Sequence, residues 1–227
     1  MATFADRALN FFSTLDLDVK LPRGVTVMNP YPTPEVQRIM HRFFKRFYSD
    51  NRPRVFVWGI NPGRHGGGLT GLPFTDPYAL KHFLDTPHTL TGRRETSSQF
   101  IYQVIESLGG VEKFYGRFYI NSLCPLGLLK DGLNYNFYDD PATMKTLTPF
   151  IVQSMQLQMD FGAKRGAAVC LGTGKLYKFF QAINSEHRFF KTILPVEHPR
   201  FIMQYNRRKM NEFLLKYQQA FEAASTL

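Results

Sequence analysis

The stretch RVFVWGINPGRHGGGLTGLPF, residues 54–74, decides how the rest of the chain is read. Its first part, residues 54–60, is short, apolar and rich in β-branched and aromatic side chains, the pattern of a strand covered on both faces. Its second part, residues 59–74, places six glycines and two prolines in sixteen residues. An apolar strand running directly into such a loop can bring backbone N–H groups close to a phosphate or a planar ring, because glycine has no Cβ to hold them off. The same composition also suits a plain surface turn. The spelling is neither GxGxxG nor GxxxxGK[ST], so it is not a dinucleotide fingerprint or a Walker loop.

Working outward, residues 117–122, 167–172 and 192–196 form three more strand-like runs. Helical patterns separate them: residues 34–49 behind a Thr33 cap, 97–108 ending at Gly109 and Gly110, 142–161, 174–187 and 206–224. From residue 54 onward strands and helices alternate. That order predicts an α/β fold of three layers, α/β/α, around a central, mainly parallel four-stranded sheet. Ligands of such sheets bind beyond the carboxyl ends of the strands. The four loops expected to converge are therefore NPGRHGGGLTGLPF, LCPLGLL, TGK and EHPR. No repeat, low-complexity tract or linker marks a boundary, so a single domain over residues 1–227 is expected, with a helical amino-terminal extension over about residues 1–50.

The chain has 28 Lys and Arg against 18 Asp and Glu, a net charge of +10, and 44% of its residues are hydrophobic, which excludes a disordered chain. Residues 160–209 hold ten Lys and Arg against Asp160, Glu186 and Glu197, so +7 of the excess lies there. An anionic partner, nucleic acid first, fits that asymmetry; a basic surface kept soluble by its charge fits it equally. Cys124 and Cys170 stand alone without a CxxC pair, which excludes a four-thiolate zinc or iron–sulfur site and suits a reducing compartment. Asp6 and Arg7 interrupt any signal-peptide run and no stretch is long and apolar enough to span a bilayer, so a cytoplasmic, membrane-free protein is expected.

Two loops carry further signals. LGTGKL, residues 171–176, suggests a Walker lysine, but the first glycine of that motif would fall at Val169; a glycine-and-lysine helix start remains a good phosphate contact. In VEHPR, residues 196–200, Pro199 keeps His198 out of helical geometry and leaves it extended at the end of its strand, from where it can reach the site. His65, in the first loop, is its one competitor.

Taken in order, GINPG (59–63), TGLPF (70–74), LCPL (123–126), GTGKL (172–176) and His198-Pro199 resemble the uracil-DNA glycosylase superfamily over roughly residues 54–206, and most of all its single-strand-selective monofunctional members. The mismatch-specific thymine and uracil glycosylases share GINPG but have Asn where this chain has His198. The resemblance implies a monofunctional DNA glycosylase in base excision repair, a monomer without metal or organic cofactor, acting on DNA that contains uracil or another deaminated base. Asn61 would hold the attacking water, and His198 would donate a hydrogen bond to the departing base. Phe74 would stack on the flipped base, with Ile60, Gly63 and Gly67 beside it. Gly63 stands where uracil-specific relatives place a bulky ring, which implies room for larger bases. Gly172, Thr173, Gly174, Lys175, Arg200, Arg207 and Arg208 would meet the DNA backbone.

Two positions depart from the resemblance. Relatives read the base edge with an Asn immediately before LCPL; here Ser122 occupies that place and Asn121 precedes it. Adjacent strand residues face opposite ways, so the two compete for the role. After His198, the wedge of the relatives is replaced by HPRFIMQYNRRK, in which Arg200, Phe201 and Ile202 could enter a duplex, or which could simply start the last helix. No Lys lies in the first or fourth loop to form a Schiff base. The competing classes are a catalytically weak nucleic-acid-binding protein of the same fold and a small-nucleotide hydrolase using the TGK loop.

Overall fold

The computed structural model describes residues 1–227. The chain opens with α1 (Phe4–Ser13), started by a reciprocal capping box between Thr3 and Asp6. β1 (Val25–Met28) and α2 (Pro34–Phe47) follow. Pro34 presets the first turn of α2, whereas Thr33, although at the cap position, makes no capping hydrogen bond. Next come β2 (Arg54–Gly59), the short α3 (Gly67–Thr70) and α4 (Pro77–His82), then α5 (Thr96–Ser107) and α6 (Gly110–Arg117). β3 (Phe118–Ser122), β4 (Gly127–Lys130), β5 (Leu133–Tyr135) and α7 (Pro141–Met159) complete the middle of the chain. The last third holds β6 (Ala163–Leu171), α8 (Lys175–His187), β7 (Thr192–Val196), α9 (Pro199–Tyr205) and α10 (Met210–Thr226).

β2 is buried along its whole length because it lies inside the main sheet, whose order is β3-β2-β6-β7 and whose strands are all parallel. Adjacent residues of β3 show how the layers form. Phe118 packs on Phe221 of α10, with ring centroids 4.9 Å apart, while Tyr119 packs on Phe4 of α1 at 5.2 Å. Since neighbours in a strand point to opposite faces, helices cover both sides, giving the three layers. One contiguous cluster of 61 buried hydrophobic residues fills them, Cys124 and Cys170 among them; burial pushes both thiols up to about 12.

The register aligns Gly59 with Ser122 and Leu171 with Val196, so the carboxyl ends of all four strands share one edge. β2 and β3 are neighbours, but the chain then crosses to the other side of β2 to lay down β6. Loops diverge at such a switch point and leave a crevice.

Three features differ from the sequence reading. β1, β4 and β5 build a separate antiparallel sheet, with β4 and β5 joined through Asp131 and Gly132, both at positive φ. That Asp-Gly pair between apolar runs was the available hairpin signal. α6 starts at Gly110 itself, with Gly109 as its cap, so the two glycines expected to end α5 also open a further helix. The final helix is preceded by α9 and a 3-10 turn at Arg207–Lys209, because Pro199 is suited to the first turn of a helix.

Candidate active site

A cavity of about 590 Å³ opens at the carboxyl edge of the sheet. Phe74 lines it, and its ring lies so close over Gly59, the last residue of β2, that a Cβ there would stand 2.6 Å from the Phe74 Cζ. Phe74 holds a left-handed backbone, φ 54°, uncommon for a bulky residue and maintained by the loop around it. Thr70 braces that loop, donating its hydroxyl to the Thr75 carbonyl at 2.7 Å and accepting the Leu72 N–H at 3.2 Å.

Asn61 lines the cavity with its amide held at both ends. Its Nδ2 donates to the Tyr135 carbonyl at 3.0 Å, and its Oδ1 accepts the Phe137 N–H at 3.2 Å. The connection between β5 and α7 thus fixes which way the amide points, and leaves one N–H and one oxygen lone pair for a ligand. The same connection lines the cavity with Asn136, Tyr138 and Asp139, none of which was singled out from the sequence.

His198 caps α9, and its Nδ1 accepts the Arg200 N–H at 3.2 Å. An Nδ1 used as an acceptor places the proton of the neutral ring on Nε2, leaving that N–H free to donate. Burial, and secondarily the Arg200 charge, push the imidazole pKa down to about 4, so the ring is neutral near pH 7. Its centroid lies 6.3 Å from that of Phe74.

The strand parity resolves the competition at the end of β3. Ser122 is buried and faces the cavity. Asn121 points the other way, donating to the Tyr119 hydroxyl at 3.0 Å and to Gln158 of α7, so it lies outside the cavity in which the base-binding residues were expected. Gly67 is likewise displaced from its expected role: it packs inside the loop, where a Cβ would meet the Leu72 carbonyl oxygen at 3.1 Å. Ile60, Gly63, Gly172, Thr173, Gly174, Lys175 and Arg200 do line the cavity, the last four exposed at its rim. Arg207 and Arg208 are exposed on the 3-10 turn beyond it, and His65 does not reach it. Ile202 is fully buried and cannot enter a duplex, whereas Phe201 (47% exposed) and Tyr205 (76%) stand at the rim.

The space beside Gly63 is not vacant. Glu95, just before α5, puts Oε1 2.5 Å from where a Gly63 Cβ would be and Oε2 2.0 Å from where a Gly66 Cβ would be. Its N–H donates to Asp76 Oδ2 at 2.8 Å. Burial, reinforced by the Asp76 charge and opposed by that of Arg200, pushes its carboxyl up to about 7. Glu95 sits in a polar stretch, TGRRETSS, with no strand end or periodic pattern to mark it.

An oriented amide, an aromatic ring and a neutral imidazole with a free N–H thus line one cavity at the switch point of a doubly covered parallel sheet. Residues 46–222 match the model of the uracil DNA glycosylase superfamily, and the chain belongs to that superfamily. Within it the chain is SMUG-like: it is similar to SMUG2 of Pedobacter heparinus, whose crystal structure is 40% identical in sequence and superposes with a TM-score of 0.95 over 100% of both chains. No curated protein matches it. The protein is therefore a DNA glycosylase, a DNA-binding hydrolase of base excision repair. No helix is long and apolar enough to cross a membrane.

Proposed function

We propose that the protein flips uracil out of DNA and hydrolyses its bond to deoxyribose without lyase chemistry, and that its pocket also takes at least one deaminated purine. The observation that carries this reading is the pairing, on one cavity, of an Asn61 amide anchored by backbone and a His198 imidazole whose Nδ1 is already occupied. When the glycosidic bond breaks, its electron pair leaves with the base and positive charge develops on the sugar. An amide is no base at neutral pH, so Asn61 positions a water that attacks late, after the bond has largely parted. The His198 Nε2–H meets the negative charge gathering on the pyrimidine O2. Phe74 stacks on the base, and the unpaired Ser122 hydroxyl, able to donate or accept, constrains the base edge less than an amide would.

Lys175, exposed at the amino end of α8 on the rim of the cavity, meets a phosphate of the DNA backbone, and the first and fourth loops hold no lysine to form a Schiff base, which favours a monofunctional enzyme. Phe201 and Tyr205, with ring centroids 5.8 Å apart on the exposed side of α9, are suited to fill the gap left by the flipped nucleotide. The protein works as a cytoplasmic monomer on this reading.

The test is single-turnover excision from uracil oligonucleotides by the parent, Asn61→Ala and His198→Ala, each variant losing at least about a hundredfold while melting normally. Near-parental excision by either rejects its role, and borohydride trapping of a covalent adduct would refute the monofunctional assignment.

A further inference from the structure

Among the groups on the cavity that the chemistry above leaves without a task, Glu95 is the one packed against the glycines of the first loop. Its carboxyl lies against the glycines of the first loop and lines the cavity, yet it takes no hydrogen bond from any side chain or backbone group of the protein. A carboxyl in that position either plugs the glycine loop or waits for a ligand. We propose that Glu95 reads the purine edge of the pocket, donating a hydrogen bond to N7 of a flipped hypoxanthine. The inference rests on the base-pocket reading above and on the resemblance to known glycosylases, which implies that Gly63 lies beside the C5 edge of a bound pyrimidine.

The chemistry follows from how the two base classes join the sugar. A pyrimidine attached through N1 presents O2 on one side of the glycosidic bond and C5–H on the other. A purine attached through N9 presents N3 where O2 was and N7 where C5–H was. The His198 edge therefore meets an acceptor in both classes, whereas the Gly63 edge meets a C–H in uracil and a lone pair in hypoxanthine. A neutral carboxyl donates to that lone pair; a carboxylate has only acceptors and repels it. The charged groups that act on it are Asp76, which holds the Glu95 N–H from the cap of α4, and Arg200 from the first turn of α9, while His198 lines the same cavity. Burial and Asp76 keep the proton on Glu95 up to about pH 7, and Arg200 opposes them. His198, neutral near pH 7, adds no charge.

The experiment measures single-turnover rates on matched hypoxanthine and uracil oligonucleotides between pH 6 and 8.5, for the parent, Glu95→Gln and Glu95→Ala, with thermal melts of all three. The readout is the hypoxanthine-to-uracil ratio. In the parent it should fall above pH 7, by as much as about tenfold per unit as the donor is lost. Glu95→Gln, which keeps an N–H donor at every pH, should hold the ratio within about threefold of its parental pH 6 value and abolish the pH dependence. Glu95→Ala should lower the ratio at least about tenfold at pH 6. A plug would lower both rates together and leave the ratio flat with pH in all three proteins, which overturns the proposal. If the parent excises uracil but no hypoxanthine, the wider substrate range falls and the role of Glu95 with it. If it excises neither, the glycosylase reading itself is refuted.

Discussion

Replacing Gly59 by alanine tests how the Phe74 ring is seated against the cavity. The added Cβ would lie 2.6 and 2.8 Å from Cζ and Cε2 of Phe74, against the roughly 3.5 to 4.0 Å of ordinary carbon contact, so the ring must retreat by about 1 Å. Movement on the other side offers little relief, since the Asn121 carbonyl oxygen stands 3.6 Å away on the neighbouring strand β3. Phe74 already holds a left-handed backbone and has few alternatives. A base–aromatic stack is worth about 1 to 3 kcal/mol, so losing part or all of it slows excision by about 5- to 150-fold. Because every base has a π-face, uracil and hypoxanthine should slow alike. The assay is single-turnover excision with enzyme in excess, at a temperature where melts show parent and variant both folded. Comparison with Phe74→Ala and the double variant completes a cycle. If Gly59 acts through Phe74, the double variant is no more than about twofold slower than Phe74→Ala alone. A Gly59→Ala enzyme within about twofold of the parent, or effects that multiply in the double variant, would refute the reasoning.

Restoring an amide with Ser122→Asn should raise the uracil-to-hypoxanthine rate ratio, because a group fitted to one base edge leaves a buried polar atom unpaired on the other; an unchanged ratio means Ser122 does not read the base. Lys175→Glu should weaken binding to undamaged DNA of every sequence and flatten the slope of log affinity against log salt by at least about one, measured by fluorescence anisotropy; an unaltered slope removes Lys175 from the phosphate contacts. Folded Glu95 keeps its proton to about pH 7 whereas the unfolded chain loses it near 4.5, so this group withdraws stability as pH rises through that window. Glu95→Gln, which cannot titrate, should therefore gain about 2 to 4 °C in Tm over the parent between pH 4.5 and pH 8, an effect kept small by partial solvent access; a pH-independent difference would show that the carboxyl is not held neutral.

The order of strands and helices was legible because hydrophobic period and glycine stops are local properties, readable within a single window. The four loops could then be aimed at one edge by the geometry of parallel sheets alone; within them Pro199 pointed to His198, whereas Asn61, Phe74 and Ser122 were picked out only by the resemblance to known glycosylases. The antiparallel hairpin was missed although Asp131-Gly132 announced it, since three- and four-residue strands carry too little alternation to stand out. α9 was missed because a helix of seven residues, started by a proline, shows barely two turns of pattern.

What the sequence by itself determined, then, is the alternation of elements and which residue types end each strand, since those depend on neighbours along the chain. Only the tertiary structure decided which residues share the cavity. Ser122 and Asn121 differ by one step in β3, and it is the packing of Tyr119 and Gln158 that turns Asn121 into the core and leaves the hydroxyl to the pocket. Asn61 gains its orientation from the backbone of Tyr135 and Phe137, and Gly63 gains a carboxyl neighbour from Glu95. These partners are brought together by the path of the chain between elements, and contacts between residues distant in sequence leave no period, cap or spacing for a local reading to detect.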